Sequence, residues 1–130
     1  YDIICDCSDN FTTRYLLNDF CLKNKKILIS GAISKFEAHI FNFNFSKKIP
    51  CYRCFMPEIP QQENKCDAEG ILPTVAGIAG TLQANEVVKS ILDKKNALVG
   101  KMIVFNTLNL NFRKIKLTRN IDCVLECSKR

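Results

Sequence analysis

Two cysteine pairs are the first residues of this 130-residue chain whose types and spacing carry chemistry. Cys51-x-x-Cys54 puts two thiolates on one turn, near enough to share a cation, and Cys123-x-x-x-Cys127 offers a second pair in the tail. Four thiolates suit tetrahedral Zn²⁺ at Zn–S of ~2.3 Å, and a four-cysteine shell leaves no position for water, so such a site is structural. It would pin the tail to the loop that carries Cys51, a link that a chelator removes. Disulfides or free thiols are the alternatives for a chain with eight cysteines, but a core of this size has little need of covalent staples. A redox pair fits less well, because Pro50-Cys51-Tyr52-Arg53-Cys54 follows a strand and precedes a Pro-rich loop, whereas a reactive C-x-x-C opens a helix.

A second group lies near the start. Asp9, Asn10 and, one helical turn on, Arg14 follow an apolar segment that reads as a strand. A carboxylate there can hold Mg²⁺ on ATP phosphates, since oxygen ligands suit that hard cation. Arg14 could face phosphate or pair with an acid, and Asp9 and Asn10 could simply cap the helix. The residues alone leave both readings open. Cys66 stands outside both pairs, just before a long helix, with Lys65 beside it. The helix dipole and that lysine favour its thiolate while Asp67 and Glu69 oppose it, so it is either a reactive or an inert thiol. Cys5, Cys7 and Cys21 fall in or beside apolar segments and read as packed. His39, the single histidine, is assigned no role.

The elements that must place these groups follow from the hydrophobic pattern. Tyr1–Asp6 reads as a buried strand, followed by a helix with Leu16, Leu17, Phe20 and Cys21 on its apolar side. Ile27-Leu28-Ile29 is a short continuous apolar run, the mark of a parallel strand, closed by Gly31. This β-α-β unit puts loops at the strand C-termini, where open α/β sheets hold their chemistry. Ala38 to Phe45 alternates, a half-buried antiparallel strand with Phe41, Phe43 and Phe45 on its core or interface side. A helix is predicted from Pro73 to Asp93, with Glu86, Lys89 and Asp93 outside and Val87, Val88 and Ile91 inside its second half. Strands at Lys101–Phe105 and Asn111–Leu117 complete a single α/β domain.

Composition narrows the class. Apolar residues make up 47% and charged residues 25%, ordinary globular values. No apolar run reaches the ~18 residues of a membrane span. The net charge of +6 comes from scattered cations without a base-reading element, so neither nucleic acid nor membrane is expected as a partner. The cysteine usage favours a reducing compartment, with a cytoplasmic location expected and an organelle left open. Tyr1-Asp2-Ile3-Ile4-Cys5 reads as a strand from a longer chain, not a signal peptide.

Taken together, these segments resemble the ubiquitin-activating-like adenylyltransferases of the MoeB/ThiF type. The matching stretches are Asp6-Cys7-Ser8-Asp9-Asn10-x-x-x-Arg14, Ile29-Ser30-Gly31-Ala32, Pro50-Cys51-Tyr52-Arg53-Cys54, Cys66-x-x-x-Gly70, Gly77-x-x-Gly80-Thr81-Leu82-Gln83-Ala84, Phe112-Arg113 with Lys116-Leu117, and the terminal cysteine pair. The resemblance covers nearly the whole chain. It implies the C-terminal half of a Rossmann-like ThiF/MoeB fold, a mixed sheet with antiparallel strands and a four-cysteine zinc knuckle, residues 1–130 forming one partial domain. It implies ATP-dependent adenylation of the C-terminal glycine of a ubiquitin-like or sulfur-carrier protein ending in Gly-Gly, followed in some members by transfer to a cysteine. Asp9 and Asn10 match the residues that bind ATP near Mg²⁺, with Asp9 essential for adenylation, and Arg14 matches the motif's arginine. Cys51, Cys54, Cys123 and Cys127 match the zinc ligands, and Cys66 matches the cysteine that accepts the carrier. The resemblance further implies a homodimer and a possible sulfurtransferase partner, in molybdopterin or thiamine biosynthesis or tRNA thiolation. The terminal pair has one extra residue, and His39 stands where a glutamine is common. The family's Gly-rich nucleotide loop and its catalytic Arg and Lys lie before the first residue, so the piece alone is expected not to form acyl-adenylate. Two rival readings are a zinc-braced docking module that binds a carrier or second subunit through Phe41, Phe43 and Phe45, and a zinc-ribbon nucleic-acid binder.

Overall fold

The computed structural model describes residues 1–60, 70–93, 95, 97–125 and 127. β1 (Ile3–Asp6), α1 (Phe11–Lys23) and β2 (Ile27–Ser34) form the expected β-α-β unit, with β1 and β2 parallel. β3 (Glu37–Asn44), β4 (Lys101–Asn106) and β5 (Asn111–Lys116) then add antiparallel neighbours, giving a five-stranded mixed sheet in the order β1-β2-β3-β4-β5. A four-residue helical turn, α2 (Tyr52–Phe55), contains Cys54 and has Cys51 as its N-cap, so the Cys-x-x-Cys pair opens a short helix after all, and α3 (Pro73–Ile91) is the long helix. Among the described residues no helix is long and apolar enough to cross a membrane.

Helices cover the two faces of the sheet at β1 to β3, whereas β5 is exposed along its length. α1 and the knuckle lie on one side, over a core of Tyr15, Leu28, Phe41, Phe43, Phe45 and Tyr52. α3 lies on the other, over Ala38, Ile40 and Leu98. β3 is therefore buried on both faces, Ile40 and Phe43 each being 0% exposed, and its alternation does not mark a half-solvated strand. Phe41, Phe43 and Phe45 stack in a row against the edge of Tyr52, with ring centroids 5.5 and 5.7 Å apart within the row. They are core, so the docking face that the rival reading needed is not at the surface.

Three expectations invert. The buried side of α1 carries Arg14, Tyr15, Asn18, Cys21 and Leu22, while Leu16 and Phe20 are exposed. On α3 the carboxylate of Glu86 faces inward and Val88 and Ile91 face out. Glu86 is buried because it is satisfied: it accepts from the Leu98 amide at 2.8 Å and from Asn42 Nδ2 at 3.2 Å, and pairs with Lys89. β2 also does not close at Gly31 but continues to Ser34, because the antiparallel partner β3 extends its ladder. Cys21 is buried as expected, whereas Cys5, on the edge strand β1, and Cys7, in the turn after it, are exposed.

Candidate functional site

The turn after β1 is built on a buried ion pair. Asp6, the last residue of β1, accepts through Oδ2 from Arg14 Nη1 at 3.1 Å and Ser30 Oγ at 2.7 Å. Its Oδ1 accepts from the Ser8 amide at 3.0 Å and the Ser8 hydroxyl at 2.6 Å. Arg14 Nη2 donates to the carbonyls of Ser8 and Gly31. A buried pair is retained at tolerable cost only when its remaining donors and acceptors are filled, as they are here. Of the two readings open for Arg14, the structure makes the pairing with an acid.

The next residues are shaped by that clamp. Asn10 is the N-cap of α1, its Oδ1 accepting from the Thr13 amide at 2.8 Å. Asp9 is left exposed beyond the C-terminal end of β1, touched by Asn10 Nδ2 at 3.4 Å. Its carboxylate projects at the strand-end crevice that open α/β sheets use for ligands. An exposed carboxylate with one long hydrogen bond is free to serve as an oxygen ligand for Mg²⁺, the donor type that cation takes.

A cavity of about 580 Å³ opens beside it, lined by Asp9, Arg14, His39, Tyr52, Ala79 and Gln83 among others. That volume is in the range of small-molecule and peptide clefts. Gln83 of α3 is the far wall: its Nε2 donates to the carbonyls of Asp6 at 2.8 Å and Ile29 at 2.9 Å, tying α3 to β1 and β2. His39, given no role from sequence, lines the same cavity with its Nε2 2.8 Å from Glu37 Oε1.

The four paired cysteines converge. Their Sγ atoms all lie within 4.8 Å of one another. Individual separations are 3.9 Å for Cys51–Cys54, 3.6 Å for Cys51–Cys123, 3.2 Å for Cys54–Cys127 and 3.7 Å for Cys123–Cys127. A tetrahedron with Zn–S of ~2.3 Å has edges of ~3.8 Å, so the sulfur positions fit that ion and are too far apart for disulfide bonds. Burial, then the charge of the other sulfurs, pushes the Cys51 thiol far up, and burial with the Cys54 hydrogen bond raises Cys127 to about 12. At Cys54 burial pushes up, but backbone hydrogen bonds from Asn120 and Cys51, together with those from the Cys127 and Cys123 thiols, outweigh it and the thiol is lowered. Crowded buried thiolates of this kind are what a divalent cation neutralises. The extra residue in the second pair does not keep it from the cluster: Cys123 and Cys127 are both buried beside Cys51 and Cys54.

The knuckle is fastened to α1. Arg53 grips Asp19 with two hydrogen bonds, at 2.9 and 2.7 Å, and lies 4.6 Å over the Tyr15 ring. The Tyr52 amide donates to Asn18 Oδ1 at 2.8 Å. The cysteine knuckle thus holds the helix whose N-terminus carries Asn10 and Arg14, and its sulfurs do not line the cavity. Cys66 lies outside the described residues. Sequence reasoning missed Asp6, Ser30, Gln83 and Glu37; the first three stand inside the motif stretches, but nothing in their spacing marks them as a network.

A mixed α/β sheet with helices on both faces, an exposed carboxylate at a strand-end cleft and a four-cysteine cluster whose sulfurs fit a metal ion define an α/β domain with a cysteine knuckle. The model of the ThiF family matches residues 1–125, and the chain belongs to that family. It is 46% identical over 132 residues to a probable molybdopterin-synthase adenylyltransferase of Pyropia yezoensis, covering 99% of this chain and 34% of that protein. Over 119 residues it is 40% identical to the adenylyltransferase and sulfurtransferase MOCS3 of Drosophila virilis, covering 90% of this chain and 26% of that protein. The chain therefore spans about a third or less of the length of these relatives. Among solved structures, E. coli MccB with ATP has a TM-score of 0.77 at 18% identity, covering 99% of this chain and 40% of that one. MccB with AMPCPP and MccA has a TM-score of 0.77 at 20% identity, covering 98% and 40%. The MccB likeness establishes the fold.

Proposed function

We propose that this chain is the C-terminal part of an adenylation domain, in an enzyme that uses ATP to activate the terminal glycine carboxylate of a ubiquitin-like or sulfur-carrier protein. The observation that carries the reading is Asp9, held exposed at a strand-end cavity by a buried clamp of Asp6, Arg14 and Ser30. The names of the relatives, a probable molybdopterin-synthase adenylyltransferase and an adenylyltransferase and sulfurtransferase, support it.

In this reading Asp9 and Asn10 face the nucleotide, and Asp9 would hold Mg²⁺, which neutralises phosphate charge. Arg14 works through position: it keeps the Ser8–Asn10 turn in register with β2. A carboxylate oxygen of the carrier attacks the α-phosphorus, the bond to the β-phosphate oxygen breaks, and pyrophosphate leaves. Catalysis is chiefly placement and charge stabilisation. The phosphate-cradling Gly-rich loop and cationic groups come from elsewhere in the protein. In a following step the Cys66 sulfur, having lost its proton, attacks the acyl carbon and AMP leaves. Zn²⁺ at Cys51, Cys54, Cys123 and Cys127 braces the fold. The protein works as a homodimer in a reducing compartment such as the cytoplasm, serving molybdopterin synthesis or a related sulfur-transfer pathway; the exposed Val88 and Ile91 on α3 suit subunit burial.

The test is carrier-dependent ATP–pyrophosphate exchange by the full-length protein, with a sulfur-carrier protein ending in Gly-Gly. Exchange that is lost when the terminal glycines are removed supports the reading, and absence of exchange with such carriers defeats it. Cys66→Ala should spare exchange and lose transfer; survival of both steps would refute the covalent role.

A further inference from the structure

His39 and Glu37 stand two residues apart on one face of β3, and both line the cavity that holds Asp9. The Nε2···Oε1 distance is 2.8 Å, and a carboxylate only accepts, so the shared proton sits on Nε2. Nδ1 is then the nitrogen that the ring can offer to a ligand. Glu37 is itself held: the His39 hydrogen bond, with help from Asn106 and the charge of Arg113, keeps its carboxyl below its ordinary range. Folding does not require this arrangement, because the two side chains are 33% and 36% exposed and pairs so exposed add little stability.

The position suits one part of a substrate. In the ladder Asp6 pairs with Ser30, Ser30 with Phe41 and Ala32 with His39, so His39 stands two strands from β1 at the same end of the sheet. Two strand spacings are about 10 Å, the reach of about three extended residues. The wall along that path, with Ala32, Ile33 and Phe41, is apolar. The negative Glu37 repels phosphate. A nucleotide placed at Asp9 would therefore avoid this end, whereas an uncharged extended peptide fits it, and a few polar groups in an apolar cleft are what fix orientation.

Resting on the adenylation reading above, we propose that His39, oriented by Glu37, is a substrate-contacting specificity residue that hydrogen-bonds the main chain of the carrier's extended C-terminal tail. The titratable or charged groups around it are Glu37 on its own strand, Arg113 on β5, and Cys7, Asp9, Arg14 and Tyr52 on the other cavity walls; its ladder neighbours Ala32 and Val104 are apolar.

The experiment uses the full-length protein, with a sulfur-carrier protein ending in Gly-Gly as probe. KM for carrier and for ATP is read by exchange, and carrier Kd by fluorescence anisotropy. His39→Ala should raise carrier KM and Kd about tenfold, the worth of one neutral hydrogen bond, while ATP KM stays within about twofold. His39→Gln should recover most of that affinity, because the amide keeps a hydrogen-bonding group at the same place on β3. Unchanged carrier affinity in His39→Ala, or a rise in ATP KM instead, overturns the inference and leaves adenylation standing. A wild type that neither exchanges nor binds the carrier overturns both.

Discussion

Gly31 and Gln83 share one small space: a Cβ built on Gly31 would lie 2.7 Å from Gln83 Oε1. Real Cβ atoms do not come so close, so the glycine in mid-strand is there for the helix above it. Through this contact α3 sits low enough for Gln83 Nε2 to reach the carbonyls of Asp6 and Ile29. Gly31→Ala should destabilise by about 1–3 kcal/mol, the usual cost of overpacking. In a Gln83→Ala background the same change should cost clearly less, giving a coupling that urea unfolding of the four-member cycle reads directly.

Arg14→Ala should be among the most damaging single changes, since it leaves the buried Asp6 carboxylate unpaired. Breaking such a pair costs about 3–5 kcal/mol. Arg14→Lys should rescue little, because one ammonium cannot reproduce the fork that meets Asp6, Ser30, Ser8 and Gly31. Chemical denaturation of the two variants decides this; a lysine variant as stable as wild type would argue against the geometry of the clamp.

Asp9→Ala separates stability from activity. Asp9 is exposed with one long hydrogen bond, so the melting temperature should move by no more than about a degree. Exchange should fall on the order of a hundredfold or more in the full-length protein, by loss of charge stabilisation at the phosphates. A variant with near-normal exchange would remove Asp9 from the mechanism.

Metal analysis should find one zinc per chain. Chelation should lower the melting temperature and make the buried Cys51, Cys123 and Cys127 reactive to thiol reagents, as should Cys54→Ser. Because the knuckle grips α1 through Arg53–Asp19 and Tyr52–Asn18, the loss should also loosen α1 amides in hydrogen exchange. Unaltered α1 protection after metal removal would break the proposed link.

Cys21 gives a pH signature. Burial, chiefly, raises its thiol from 9.0 to about 11, with Asp6 adding to the shift. A raised folded-state value means that the unfolded chain loses its proton first as pH rises. The stability contribution is intact below about pH 9 and declines between about 9 and 11. Below pH 9 Cys21 should resist alkylation while Cys5 and Cys7 react, which mass spectrometry of labelled protein resolves.

Much of the architecture was legible along the chain. The β-α-β start, the alternation of β3, the extent of α3 and the Cys-x-x-Cys knuckle are local patterns: each depends on the spacing of a few neighbouring side chains, and backbone geometry turns that spacing into an element. The four metal-fitting cysteines and the strand-end position of Asp9 could be read in the same way. The faces could not. Glu86 turns inward and Val88 outward because Asn42 and the Leu98 amide, distant in sequence, wait for that carboxylate. Arg14 turns inward because Asp6, Ser8, Ser30 and Gly31 meet only after β1 and β2 pair, and His39 reaches the cavity wall only when β3 joins them. Hydropathy counts what a residue dislikes about water; it carries no information on which distant partner will satisfy a buried polar group.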